Sequence, residues 1–108
     1  MLNEKSYRKE KIVDVLHKAA SEYIQKESNR DSMITVTRIE LSSDLKKAIV
    51  FFTVLPEHKE NAASDFLKRN RSEFRDYVGQ KTRIGQMPWF DFEIDSGEKS
   101  RQNIDKLL

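Results

Sequence analysis

Between Phe74 and Asp95 the spacing of apolar residues changes period, and that change limits the fold more than any other feature of the chain. Phe74, Tyr77 and Val78 recur at helical spacing. Beyond Pro88, Phe90, Phe92 and Ile94 alternate with Asp91, Glu93 and Asp95, which is the period of a strand with one face buried. Cations gather on the helix (Arg75, Lys81, Arg83) and anions on the strand. A helix that passes through a proline turn into a half-buried strand needs a sheet to join and a layer to cover it.

The rest of the chain supplies both. Residues 4–27 read as an amphipathic helix, with Ile12, Val15, Leu16, Ala19, Ala20, Tyr23 and Ile24 on a broad apolar face. Ser28, Asn29, Asp31 and Ser32 end it. Residues 33–41 are rich in Ile, Val and Thr and predict a strand. Ser42-Ser43-Asp44-Leu45 predicts a tight turn fixed by Asp44, and residues 46–55 a second strand. In that strand Ala48, Val50, Phe52 and Val54 point one way, and Ile49, Phe51, Thr53 and Leu55 the other. The short connection makes the pair an antiparallel hairpin.

Pro56 suits the first turn of a helix whose buried face is Ala62, Ala63, Phe66 and Leu67. The pattern restarts at Phe74, so a break falls near Asn70 to Ser72, with Ser72 as the expected N-cap. Gly79 is expected to permit close packing or to end a helical segment, and Trp89 to be a partly buried anchor. A short helix from about residue 98 to 107 would pack through Ile104 and Leu107. The expected fold class is α+β, in the order α-β-β-α-α-β, with a three-stranded sheet covered on one face by helices.

At 108 residues the expectation is one domain spanning 1–108. A chain this long buries roughly two-thirds of its unfolded surface. The lack of cysteine excludes disulfides and thiolate metal sites. No apolar run reaches the roughly 20 residues of a membrane span, and the polar N-terminus is unlike a secretory signal, so a cytoplasmic location is expected.

The net charge of +2 is small, but its distribution is uneven. From Lys68 to Arg83 six cations (Lys68, Arg69, Arg71, Arg75, Lys81, Arg83) face two acids, Glu73 and Asp76. A local basic helix lets a small protein bind phosphates without being basic overall. Arg71 and Arg75 are four apart, so they share a helix face and could reach adjacent phosphates. Arg83 is expected either to join them or to pair with an acid on the third strand.

Two blocks carry a family resemblance. Val36-Thr37-Arg38-Ile39-Glu40-Leu41-Ser42-Ser43-Asp44-Leu45-Lys46-Lys47-Ala48-Ile49-Val50 resembles a hairpin of the ribosome-binding factor A family. Phe74-Arg75 through Arg83, followed by Pro88-x-Phe90-x-Phe92-x-x-Asp95, resembles the same family's basic helix, proline and aromatic strand. The resemblance implies a KH type II-like fold, binding to the small ribosomal subunit and its rRNA, a part in late maturation of that subunit, and no enzymatic activity. KH domains clamp nucleic acid at a Gly-x-x-Gly turn. The family has an Ala-x-Gly kink there, and this chain carries Asn70-Arg71-Ser72. The RNA contacts expected are Lys68, Arg69, Asn70, Arg71, Arg75, Lys81 and Arg83, with Arg8, Lys9 and Lys11 of the first helix.

The same cations could instead answer an acidic protein partner on the same scaffold. The row Asp91, Glu93 and Asp95 could hold a cation or supply a general base, but alternating carboxylates on an edge strand more often keep the edge soluble. His17 and His58 are isolated and imply no metal site. Lys46 and Lys47 are expected to be solvated, and Phe51 to be covered by a neighbouring side chain. No phosphate loop is present, and neither a cofactor nor a small-molecule substrate is expected. A monomer is expected.

Overall fold

In a computed structural model, the structure describes residues 4–28 and 31–97, with side chains from Arg8 onward. The elements are α1 (Glu4–Glu27), β1 (Met33–Leu41), β2 (Lys47–Leu55), a 3-10 turn (Glu57–Lys59), α2 (Glu60–Arg69), α3 (Arg71–Lys81) and β3 (Trp89–Ile94). The order is the α-β-β-α-α-β expected from the sequence. The helix expected near 98–107 lies outside the described residues.

β2 is the central strand, antiparallel to β1 and parallel to β3. A parallel neighbour cannot be reached by a tight turn, so α2 and α3 form the crossover from β2 to β3. The β1–β2 turn is closed by its own side chains. Ser42 Oγ donates to Asp44 Oδ1 at 2.6 Å, and Asp44 Oδ1 accepts the Lys46 N–H at 3.0 Å. Ser42 Oγ also accepts the Lys47 N–H at 3.0 Å. The bonds to Asp44, that of the Ser42 hydroxyl first, hold its carboxyl below its usual pKa. The turn places Leu45 in the left-handed region, at φ 64°.

The register of β1 shifts between Val36 and Arg38. Ile34 and Val36 face the helices before the shift, and Ile39 and Leu41 after it. A bulge of one residue, here at Thr37, changes which positions point inward.

All three helices lie on one face of the sheet. Leu16, Ala20, Tyr23 and Ile24 of α1, Leu67 of α2, and Phe74 and Val78 of α3 are buried against Val50, Phe52, Phe90 and Phe92. Phe74 is the centre of this layer. Its ring meets Tyr23 at 5.3 Å, Phe90 at 4.8 Å and Phe92 at 5.2 Å, all edge-on, the favoured geometry for aromatic pairs. Val15 departs from expectation, being 39% exposed on the margin of the α1 face.

The α2–α3 break falls at Asn70, with φ −99° and ψ 18°. Asn70 N and Nδ2 both donate to the Phe66 carbonyl, at 3.1 and 2.8 Å, which closes the end of α2. Its own carbonyl accepts the Phe74 N–H at 2.8 Å and starts α3. Asn70, not Ser72, therefore holds the N-cap position, and Ser72 lies inside α3. Gly79 also differs from expectation. It is exposed within α3, and an added Cβ would meet only Met87 Cε, at 3.8 Å.

Candidate nucleic-acid interface

The helix cations do not form one surface. Along α3 each residue advances about 1.5 Å, so Arg71 and Lys81 stand roughly 15 Å apart. The candidates divide between these two ends.

At the far end of α3, the stripe Arg8, Lys11, Val15, Lys18 and Glu22 runs along α1 at alternating spacings of three and four, one helix face. Two shallow clefts flank it. One, of about 200 Å³, is lined by Arg8, Lys11, Ile12, Val15, Arg83 and Ile84. The other, of about 280 Å³, is lined by Val15, Lys18, Ala19, Glu22, Lys81 and Thr82. Val15 is common to both. Glu22 is the one acid in either lining, against Arg8, Lys11, Lys18, Lys81 and Arg83. Lys81 Nζ lies 5.6 Å over the Tyr77 ring, within cation–π range. Thr82 Oγ1 donates to the Val78 carbonyl at 2.8 Å, which ends α3 and turns the chain towards Arg83. The expected contacts Arg8, Lys11, Lys81 and Arg83 are thus brought together. Lys9 falls off the stripe and lines neither cleft.

At the near end, Lys68 and Arg69 are exposed in the last turn of α2 and Asn70 is half-buried in the break. Arg69 lines a separate cleft with Asp31 and Lys59.

Arg71 and Arg75 do share a face, as their spacing predicts, but that face turns to β3. Arg71 Nη2 pairs with Asp91 Oδ1 at 2.9 Å. The acid on β3 thus meets Arg71 and not Arg83. Arg75 Nε and Nη2 donate to the carbonyls of Pro88 and Met87 at 3.1 and 3.0 Å. Its guanidinium lies 4.1 Å over the Trp89 ring. Arg75 is therefore a brace for the α3–β3 connection, not a side chain pointing to solvent. Trp89, expected to be partly buried, is 64% exposed.

The carboxylate row does not act as a unit. Asp91 goes to Arg71, Glu93 is exposed, and Asp95 is buried. Alternation along the strand predicts Asp95 facing water, but just past the end of β3 its carboxylate is covered by side chains of β1. Asp95 Oδ2 accepts Thr37 Oγ1 at 2.5 Å and Arg38 Nε at 3.3 Å. Arg38 also pairs with Glu40, and its guanidinium lies 3.8 Å over Phe51. That contact covers Phe51 on the face the helices leave open, as expected. Glu40, by its hydrogen bond first and then its charge, raises the pKa of Arg38. Among the described residues no three His, Cys, Asp or Glu side chains gather closely enough to hold a metal ion. No described helix is long and apolar enough to cross a membrane. A further cleft, of about 730 Å³ between the end of α1 and β1, is lined mainly by neutral side chains.

The sequence expectation leaves Lys18 out of the site, although its spacing from Arg8 and Lys11 places it on their stripe. Trp89 and its neighbours Lys46 and Lys47 have no local signal, because only the parallel pairing of β2 with β3 joins them.

An α+β domain of this element order, with a cationic edge built from the first and third helices, has the arrangement of a KH type II domain. The family model described as Ribosome-binding factor A matches residues 8–108, and the chain belongs to that family. A curated relative of that name from Natranaerobius thermophilus is 34% identical over 105 residues, covering 94% of this chain and 79% of its own length. Solved structures agree on the fold. The crystal structure of ribosome-binding factor A from Thermus thermophilus superposes with a TM-score of 0.69 at 23% identity, covering 77% of this chain and 90% of that one. A Thermus thermophilus homology model, fitted into a cryo-EM map of a 30S–ribosome binding factor A complex, gives 0.65 at 24% identity, with coverage of 73% and 86%.

Proposed function

We propose that this chain is a non-catalytic factor that binds the small ribosomal subunit through its rRNA and assists late maturation of that subunit. Family membership supports the ribosomal target, as does the 30S complex of the Thermus relative. The observation that carries the RNA contact is the meeting of Arg8, Lys11, Lys18, Lys81 and Arg83 around Val15. Lys68 and Arg69 form a second, separate basic patch at the other end of α3. Phosphate contacts of this kind set register and orientation and carry no sequence information themselves. The factor then favours whichever rRNA conformation presents phosphates to both patches, and shifts the population by that difference in affinity. On this reading residues 1–108 act as one domain and as a monomer, in the cytoplasm, without cofactor or small-molecule substrate.

Salt dependence tests the surface. Each phosphate contact contributes roughly 0.7–0.9 to the slope of log K against log salt. The pair Arg8→Ala and Arg83→Ala should therefore flatten the slope for rRNA fragments by about 1.5 units. An unchanged slope would mean that RNA binds elsewhere on the protein.

A further inference from the structure

Trp89 is the chain's one tryptophan, and it opens β3 with its side chain largely open to solvent, the residue being 64% exposed. Its surroundings are cationic and fixed. Arg75 lies 4.1 Å over the ring, and that guanidinium is held by the Pro88 and Met87 carbonyls. One side of the indole is thus taken by a charge that is tied in place, and much of the ring remains open. Trp89 is paired with Lys47 in the parallel β2–β3 register, so the two side chains share a sheet face. Its backbone N–H donates to the Lys46 carbonyl at 2.9 Å, which sets the hairpin turn beside it. Both lysines are exposed. Asp91, two residues along the same strand face, is neutralised by Arg71 at 2.9 Å.

We propose that Trp89 is a stacking platform for an unpaired RNA base, with Lys46 and Lys47 taking the flanking phosphates. This deepens the rRNA-binding reading above and rests on it. An exposed ring among cations matches the pairing of π-face and phosphate that a single-stranded nucleotide offers. A duplex hides its base faces in the stack and offers the ring nothing. An acidic peptide would satisfy the lysines and leave the indole without a partner. Arg75 is a positioning residue here: it fixes the ring and adds a cation beneath it, giving an arginine–indole–base sandwich. The platform lies at the β3 edge of the sheet, beside the α3 face that carries Arg71 and Arg75, apart from the α1–α3 clefts. A folded rRNA site could therefore meet both, the clefts on paired phosphates and Trp89 on an unpaired neighbour.

Because Trp89 is the one tryptophan, its emission reports this site alone. The full chain is titrated with a short unstructured single-stranded oligoribonucleotide, with an RNA duplex of equal phosphate number, and with polyglutamate. The single strand should quench the emission saturably, while the duplex binds and leaves it unchanged. Measured by anisotropy of labelled RNA, Trp89→Ala should weaken single-strand binding by roughly 5- to 150-fold, the loss of one base–aromatic stack. Trp89→Phe should retain most of the affinity, and both variants should bind duplex as the parent does. The proposal is overturned if bound single strand leaves the emission unchanged. Equal quenching by duplex or polyglutamate overturns it too, as does a folded Trp89→Ala that binds single strand with full affinity. Should Trp89→Ala not fold, the emission titration and Trp89→Phe decide. If the emission is silent while the chain still sediments with small subunits, the platform fails and the ribosomal reading stands. If quenching persists without co-sedimentation, the ribosomal reading fails alone.

Discussion

Tyr23 shows how a single side chain can set a pH limit on this fold. Its ring is buried, against Phe74 at 5.3 Å and Tyr77 at 5.4 Å. Its hydroxyl is also buried, with no hydrogen-bond partner in normal geometry among the described residues. Burial pushes the phenol pKa up from 10.0 to about 12, and the Glu73 carboxylate adds to the rise. The neutral form is the one the fold accepts. Stability from this group is therefore complete below about pH 10, the unfolded value, and declines as pH rises through about 12. Denaturant midpoints should fall over that window in the parent. In Tyr23→Phe they should fall less, and the tyrosinate that forms near pH 12 should be missing from the absorbance titration. At this scale the sequence reveals which residues are apolar and little about where charged groups end. Asp95 obeys the alternation of its strand, yet its partners Thr37 and Arg38 lie in the first strand, far back along the chain. Arg75 carries the spacing of a phosphate-binding arginine, yet its donors go to carbonyls of the next loop. Neither fact follows from a periodic pattern, because each depends on a tertiary neighbour.

The elements are largely legible in the chain. Hydrophobic period separates α1 from the strands, and the Ser42–Asp44 turn declares its hairpin through side chains that bond their own backbone. The register shift in β1 is also written there, since its inward residues run Ile34, Val36, Ile39, Leu41. A gap of three among gaps of two marks the bulge, and reading residues 33–41 as one regular strand passes over it. The break at Asn70 needs no glycine, because φ stays negative there and the Asn70 amide closes the end of α2. Gly79 escapes a sequence reading because a glycine within a helix pattern has no spacing signal of its own. It occupies an ordinary helical position with room for a methyl group. Gly79→Ala should accordingly stabilise the protein by about 0.5–1 kcal/mol, through helix propensity and a less disordered unfolded chain. Denaturant unfolding at constant m-value would measure the gain, and a loss of stability would show that α3 needs the glycine.

For the whole molecule, the layered arrangement puts one apolar face of a three-stranded sheet under three helices. Function is left to their edges and to the β3 edge of the sheet. The basic segment 68–83 reads as one surface in the sequence because its cations are contiguous there. Folding divides it: Lys81 and Arg83 join Arg8, Lys11 and Lys18 of α1, while Arg71 and Arg75 turn to β3. Linear charge density locates the region, and only the packing of α1 beside α3 decides which cations act together. Binding to the small ribosomal subunit is tested most directly by sedimenting the tagged full chain with cell extract on a sucrose gradient. At low salt we expect it in the fractions of free small subunits and not with whole ribosomes, and Arg8→Ala with Arg83→Ala should release it at lower salt than the parent. Absence of the parent chain from the small-subunit fractions at low salt would contradict a ribosomal role for this protein.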